Sequence, residues 1–236
     1  VKSLDADMNV QSVRRSMENK QQVTVIGGGL AGCEAAWQLA QAGYAVFLYE
    51  MKPEQYTPAH HYTGLAELVC SNSLKADRLA SAAGLLKAEM ERLGSLLIPC
   101  ARATAVAAGG ALAVDRHRFS DLVTEHIQNH PNITIIQERV TALPKRCAVI
   151  ATGPLTDGAL AEDLERQCGK RLSFFDAAAP IVSYESLDPE KIFFAARYDR
   201  GDADYINCPM DQETYTAFYQ ALIAAERAPL HDCDKE

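Results

Sequence analysis

The residues best suited to chemistry fall early in the chain. Gly27-x-Gly29-x-x-Gly32 follows the β-branched run Val23-Thr24-Val25-Ile26 and opens an alanine-rich stretch. Glycines at this spacing, between a strand and a helix, suit a pyrophosphate ligand. Gly27 permits the tight turn, Gly29 leaves room for the phosphates to approach the backbone, and Gly32 lets the helix pack close to the sheet. The N–H groups across Gly27, Gly28, Gly29, Leu30, Ala31 and Gly32 then face the phosphates with the positive end of the helix dipole. Glu50 closes the next apolar run, where a carboxylate accepts hydrogen bonds from the adenosine ribose and repels a 2′-phosphate. A tight turn with no ligand is the competing reading.

A second signal is Val149-Ile150-Ala151-Thr152-Gly153-Pro154. An apolar strand ending in Ala-Thr-Gly resembles the later strand of flavoproteins with two dinucleotide-binding domains, and the resemblance favours FAD over NAD, with Gly153 close to the cofactor. The third is Cys70, in Ala66-Glu67-Leu68-Val69-Cys70-Ser71-Asn72-Ser73. Unpaired backbone N–H groups at such a site would favour the nucleophilic thiolate, and a small buried apolar residue is the alternative. Cys33 and Cys147 read as core. Adjacent His60 and His61 on an extended loop point apart, which argues against a shared metal. Asp115-Arg116-His117-Arg118, and Arg139 with Lys145-Arg146, are basic clusters that either meet phosphates or are simply solvated.

These residues need a frame. Val23–Ile26 and Ala45–Tyr49 read as buried parallel strands around a helix from Gly32 to Ala42, closed by Gly43: one β-α-β unit. Leu65–Cys70 reads as a short helical turn. Ser81–Leu93 reads as an amphipathic helix with Ala82, Leu85, Leu86, Met90 and Leu93 on its apolar side. Asp115 caps a helix that presents Phe119, Leu122, Val123, His126 and Ile127 and stops at Pro131. Ala111–Val114, Ile133–Ile136, Val140–Leu143 and Cys147–Ala151 read as strands. A last helix, Glu213–Ala225, carries Tyr215, Phe218, Tyr219 and Leu222 on one side.

Composition sets the outer limits. The 236 residues hold 48% hydrophobic and 23% charged side chains, enough for a sizeable core and too apolar for general disorder. The net charge of −8 disfavours indiscriminate nucleic-acid binding. Leu93–Val114 is the most apolar stretch, and Pro99, Arg102 and Gly109-Gly110 interrupt it, so no membrane span is expected. The seven cysteines are scattered and never form C-x-x-C, which points to a reducing cytoplasm without a zinc site. Residues 1–22 read as a disordered extension.

Several segments together are similar to the bacterial folate- and FAD-dependent tRNA (uracil-5-)-methyltransferase family. They include Gly27 to Trp37, Leu48-Tyr49-Glu50-Met51, Ala66 to Leu74, Gly84-Leu85-Leu86-Lys87, Gly109 to Arg116, Ala151 to Thr156, Phe175 to Val182, Ala203 to Met210 and Ala225 to Leu230. The resemblance runs from about Val23 to Glu236. It implies an α/β fold: a Rossmann-like FAD-binding domain of the glutathione-reductase type over 23–173, and an inserted second α/β domain starting at 174–236. It implies FAD as cofactor, with methylenetetrahydrofolate and NAD(P)H as co-substrates. The implied product is 5-methyluridine at a T-loop uridine of tRNA, with no metal and no membrane. Cys70 matches one of two functional cysteines, as nucleophile or general base. The second, in a Phe-Glu-Gly-Cys segment, is expected after Glu236, so the chain reads as an N-terminal fragment that binds FAD weakly and is inactive alone. The related flavoproteins that modify the wobble uridine, and a non-catalytic dinucleotide-binding module, are the alternatives. RNA as substrate requires a local basic face on this acidic chain.

Overall fold

The structure is a computed structural model, and it describes residues 21–169, 182–196 and 202–226. Residues 1–20 of the expected extension lie outside the described residues, and Gln22 already belongs to the first strand. The opening unit is β1 (Gln22–Ile26), α1 (Leu30–Gln41) and β2 (Ala45–Glu50). Then come β3 (Ser73–Ala76), α2 (Ala82–Arg92), α3 (Leu97–Ala103), β4 (Ala105–Val106) and β5 (Ala111–Val114). The chain returns through α4 (Arg116–Gln128), β6 (Ile133–Gln137), β7 (Ala148–Ile150) and α5 (Gly158–Cys168).

The main sheet has the order β6-β2-β1-β7, and all three pairings are parallel. Beyond the strand at which such an order reverses, a crevice opens at the carboxyl ends. Here that strand is β1. Small residues let α1 lie close to the sheet: Gly32, Cys33, Ala36 and Ala40 are buried. Beside it, α4 buries Phe119, Val123 and Ile127 of its expected apolar face, with Leu122 half-buried and His126 exposed. Asp115 accepts from the His117 and Arg118 N–H groups at 3.1 Å and caps the helix. These side chains join Val25, Val46, Leu48 and Ile133 in one core.

A second, antiparallel sheet has the order β3-β5-β4. It is tied to the first layer through α3. Glu34 on α1 accepts from Ser95 Oγ (2.8 Å) and from the Leu96 and Leu97 N–H groups (3.3 and 3.1 Å). A carboxylate at a helix start satisfies donors that lack intrahelical partners.

Four expectations are corrected. Leu65–Cys70 is not helical: Ala66 has φ +51°, and its N–H donates to the Gly28 carbonyl instead of to its own turn. Val140–Leu143 forms no strand, because the Leu143 N–H donates to Asp163 on α5 at 2.7 Å. Cys147 is exposed and not core. On α2, Leu85, Leu86 and Leu93 are exposed, and the buried residues are Gly84 and Lys87. A Cβ at Gly84 would collide with the Arg78 carbonyl, so close approach there decides which side turns inward. Lys87 buries its stem and donates to the Ala76 and Ala83 carbonyls at 2.8 and 3.1 Å.

Further on, a 3₁₀ turn (Tyr184–Ser186), the antiparallel pair β8 (Phe193–Ala195) and β9 (Tyr205–Asn207), and α6 (Gln212–Ala224) are described. Asp211 caps α6 by accepting from the Thr214 N–H at 2.7 Å. Tyr215, Phe218, Tyr219 and Leu222 are each exposed. The turn before β5 holds this part: Asp204 accepts from the Gly109 N–H (2.7 Å), and Tyr205 donates to the Ala108 carbonyl (2.9 Å).

Candidate functional site

A cavity of about 270 Å³ opens where β1, β2 and β7 end. Gly27, Gly28, Gly29, Leu30 and Ala31 form one wall. Glu50 and Lys52 follow from β2, Glu138 and Arg139 from β6, and Ala151 to Asp157 from β7. Pockets that enclose a drug-sized ligand run about 300–1,000 Å³. This one is sized for part of a dinucleotide.

The glycines have separable reasons. Gly27 has φ +100°, which other residues rarely adopt, and a Cβ there would lie 2.5 Å from the Ala151 carbonyl oxygen. A Cβ on Gly32 would collide with the Gly27 carbonyl, whereas one on Gly29 would meet nothing within 4 Å. Gly32 is buried behind the turn and builds it, while Gly29 borders open space. No side chain caps α1 at Gly29, so the first-turn N–H groups face the cavity uncapped.

Glu50 is anchored from two sides. Its Oε2 accepts from the Gly28 N–H (2.7 Å) and its Oε1 from the Lys52 N–H (2.9 Å). Gly28 thus spends its N–H on Glu50, and the donors left for a cavity occupant narrow to those after it. The carboxylate oxygens retain lone pairs for a ribose hydroxyl. Gly153 has φ +76° and lines the cavity, beside Thr152 and Thr156, whose hydroxyls are 2.6 Å apart.

Cys70 lies outside the lining, one residue beyond Val69, which is part of it. It is exposed, so the buried apolar reading does not hold. Cys33 is the inert thiol: burial, then the charge of Glu50, push it up to about 12. The paired histidines do part. His60 lines the cavity with its Nδ1 2.6 Å from Thr57 Oγ1, and burial holds its pKa below the ordinary value. His61 is exposed. Among the described residues no three His, Cys, Asp or Glu side chains gather to hold a metal. Arg139 reaches the cavity and donates to Gln55 (3.2 Å) and Asp157. Lys145 and Arg146 are surface residues.

Lys52 and Glu67 were not singled out by the sequence. Lys52 is only 5% exposed, and its Nζ donates to the Tyr62 carbonyl (3.0 Å), the Gly64 carbonyl (2.6 Å) and Glu67 (3.3 Å). Burial pushes the Glu67 carboxyl up, but the His61 N–H, the Lys52 ammonium and the Tyr62 N–H outweigh it and hold the pKa below the ordinary value. A lysine two residues after Glu50 carries no local sign of burial, because its acceptors arrive from 62–67.

The strand order and the glycine turn define a Rossmann-like α/β protein. The chain belongs to the glucose inhibited division protein A family, whose model matches residues 22–236. It is 55% identical over 221 residues to the methylenetetrahydrofolate--tRNA-(uracil-5-)-methyltransferase TrmFO of Shouchella clausii (strain KSM-K16), covering 93% of this chain and 51% of that protein. It is 57% identical over 215 residues to the protein of the same name from Geobacter sulfurreducens, covering 90% and 50%. The chain spans about half the length of the curated relatives it matches. Among solved structures, FqzB overlaps 58% of this chain and 36% of its own at 18% identity and a TM-score of 0.35, too little to bear on fold or function. No helix among the described residues is long and apolar enough to cross a membrane.

Proposed function

We propose that this chain supplies the FAD-binding half of a folate-dependent tRNA (uracil-5-)-methyltransferase. The observation that carries the cofactor reading is the uncapped start of α1 facing a cavity at the carboxyl edge of a parallel sheet, with Glu50 across from it. The residues fit a dinucleotide: Gly29, Leu30 and Ala31 offer N–H groups and space to a diphosphate, Glu50 offers acceptors to the adjoining ribose, and Gly153 lets the cofactor pass close to the backbone. FAD, when bound, supplies the redox chemistry that reduces a one-carbon unit to a methyl group. The printed names of the relatives support methylenetetrahydrofolate as donor and a uridine of tRNA as acceptor.

In this reading residues 23–173 form a glutathione-reductase-type FAD domain, and 174–236 begin an inserted α/β domain. NAD(P)H is the reductant, the target is the T-loop uridine, and the enzyme works in the cytoplasm. Cys70 acts on the uracil ring. Carbon C5 is a poor nucleophile until a thiolate adds at C6, and an exposed thiol one residue beyond the cavity lining can serve as that nucleophile or as the base that removes the C5 proton. The test uses the full-length protein with a T-loop RNA, methylenetetrahydrofolate and NAD(P)H. The expected result is a yellow protein that forms 5-methyluridine, with Cys70→Ala losing methylation while retaining flavin. A colourless protein refutes the cofactor, and full activity of Cys70→Ala refutes the role of that cysteine.

A further inference from the structure

A continuous set of hydrogen bonds joins the glycine turn to residues 61–67, three positions short of Cys70, and nothing in the proposed reaction uses it. Gly28 is the hub. Its N–H donates to Glu50 (2.7 Å), and its carbonyl accepts from the Ala66 N–H (2.8 Å). Glu50 also accepts from the Lys52 N–H, and the Lys52 ammonium grips the carbonyls of Tyr62 and Gly64 and the carboxylate of Glu67. Glu67 in turn accepts from the His61 and Tyr62 N–H groups at 2.8 and 3.0 Å through its other oxygen. Leu65 is clamped from the far side: its N–H donates to Thr124 and its carbonyl accepts from Ser120, both on α4.

Between these anchors Ala66 is buried at φ +51°. A left-handed alanine persists only where its surroundings over-determine it. Two features set this network apart from a plain structural brace. Glu50, Lys52, Glu67 and Val69 all line the cavity, so an occupant touches the same groups that hold the arm. Lys52 also places three donors on three acceptors, so any shift of the 62–67 segment leaves a buried N–H unmatched.

We propose that the Lys52–Glu67 ion pair is a positioning device that ties the placement of Cys70 to occupancy of the glycine-turn cavity. This rests on reading the cavity as the FAD site. Glu67 is not a catalytic residue here. It acts through the backbone at 61–67, and a bound dinucleotide that engages Glu50 tightens the path from Gly28 to Cys70.

The experiment uses the full-length protein, flavin-loaded and flavin-stripped. Iodoacetamide labelling of Cys70 is followed peptide by peptide, since Cys147, Cys168 and Cys208 are exposed as well. Glu67→Gln keeps an oxygen for the His61 and Tyr62 N–H groups and puts an amide NH2 in place of the charged acceptor facing Lys52. In wild type, FAD is expected to change the Cys70 labelling rate by about fivefold or more, a typical size for coupled sites. In Glu67→Gln, compared with wild type at equal flavin content, the change falls below about twofold, and kcat for methylation drops while KM for RNA stays level. Lys52→Met is expected to behave alike, and if it fails to fold, Glu67→Gln alone decides. A variant that retains the full flavin-dependent change overturns the proposal, as does wild type whose Cys70 labels equally with and without flavin. A protein that never takes up FAD overturns the cofactor reading and the coupling together, and flavin content distinguishes that failure from the others.

Discussion

Gly29→Ala and Gly32→Ala change the same motif by the same methyl group, yet the structure gives them opposite consequences. A Cβ at Gly29 meets nothing within 4 Å, and the backbone there (φ −72°, ψ −171°) suits alanine. Restricting the unfolded chain favours the variant by about 0.4–1 kcal/mol. Losing glycine at an N-cap costs it roughly 0.5 kcal/mol. The two nearly cancel, and Gly29→Ala should unfold within about 0.5 kcal/mol of wild type. The methyl group instead projects into open space at the cavity wall, where the proposed diphosphate would approach. Its cost should appear in FAD affinity, as a loss of about tenfold or more, equivalent to ~1.4 kcal/mol.

Gly32→Ala has no such space. The new methyl would collide with the Gly27 carbonyl and lie 2.9 Å from its carbon, and both are backbone atoms that cannot swing aside as a flexible side chain could. Separating α1 from the turn is the only relief. Overpacking a tight site costs about 1–3 kcal/mol, and an obstructing backbone puts this one at the upper end or beyond. Urea unfolding of the apoprotein reads the first quantity, and quenching of flavin fluorescence on titration reads the second. Gly29→Ala that binds FAD with wild-type affinity would refute the assignment of its wall to the diphosphate. Gly32→Ala as stable as wild type would refute the contact geometry of the turn itself.

Further outcomes follow from the side chains around the turn. Cys33 should resist iodoacetamide at pH 9 in the native protein and label in urea, because burial and then the charge of Glu50 push its thiol to about 12. Labelling of Cys33 at the rate of the exposed cysteines would contradict its burial. His60 has a pKa held by burial below its ordinary 6.5, so as pH falls below that value the unfolded chain takes up a proton the folded one refuses. Stability contributed by His60 is therefore present above 6.5 and declines below it, and His60→Gln should flatten that limb of a stability-against-pH curve. Glu34→Ala removes the acceptor for Ser95 and for two N–H groups at the start of α3. It should cost about 1–2 kcal/mol in urea unfolding, as loss of a helix cap does, and an unchanged midpoint would show that water replaces the carboxylate.

What could be read in the residues depended on how far apart the determinants lie. The turn from Ile26 to Gly32 was legible because its constraints are local: the φ of Gly27 and the contact of Gly32 with the Gly27 carbonyl arise within six residues. The same holds for α4, where Asp115 and the spacing of Phe119, Val123 and Ile127 state both the start and the inward face. The face of α2 was misread because leucines at helical spacing outweighed Gly84 and Lys87, whose burial is decided by carbonyls at Arg78 and Ala76. In α3, a helix not expected from the sequence, Pro99 gives no sign against helix formation. It sits in the first turn, where a missing N–H costs nothing. The arm from Leu65 to Cys70 was the least legible, since its shape is dictated by Gly28 on one side and by Ser120 and Thr124 on the other. A pattern of apolar residues reports which side of an element meets the core. It carries no record of a backbone bent by partners dozens of positions away, and in this chain that bent backbone ends at Val69 in the cavity lining, one residue before the exposed Cys70.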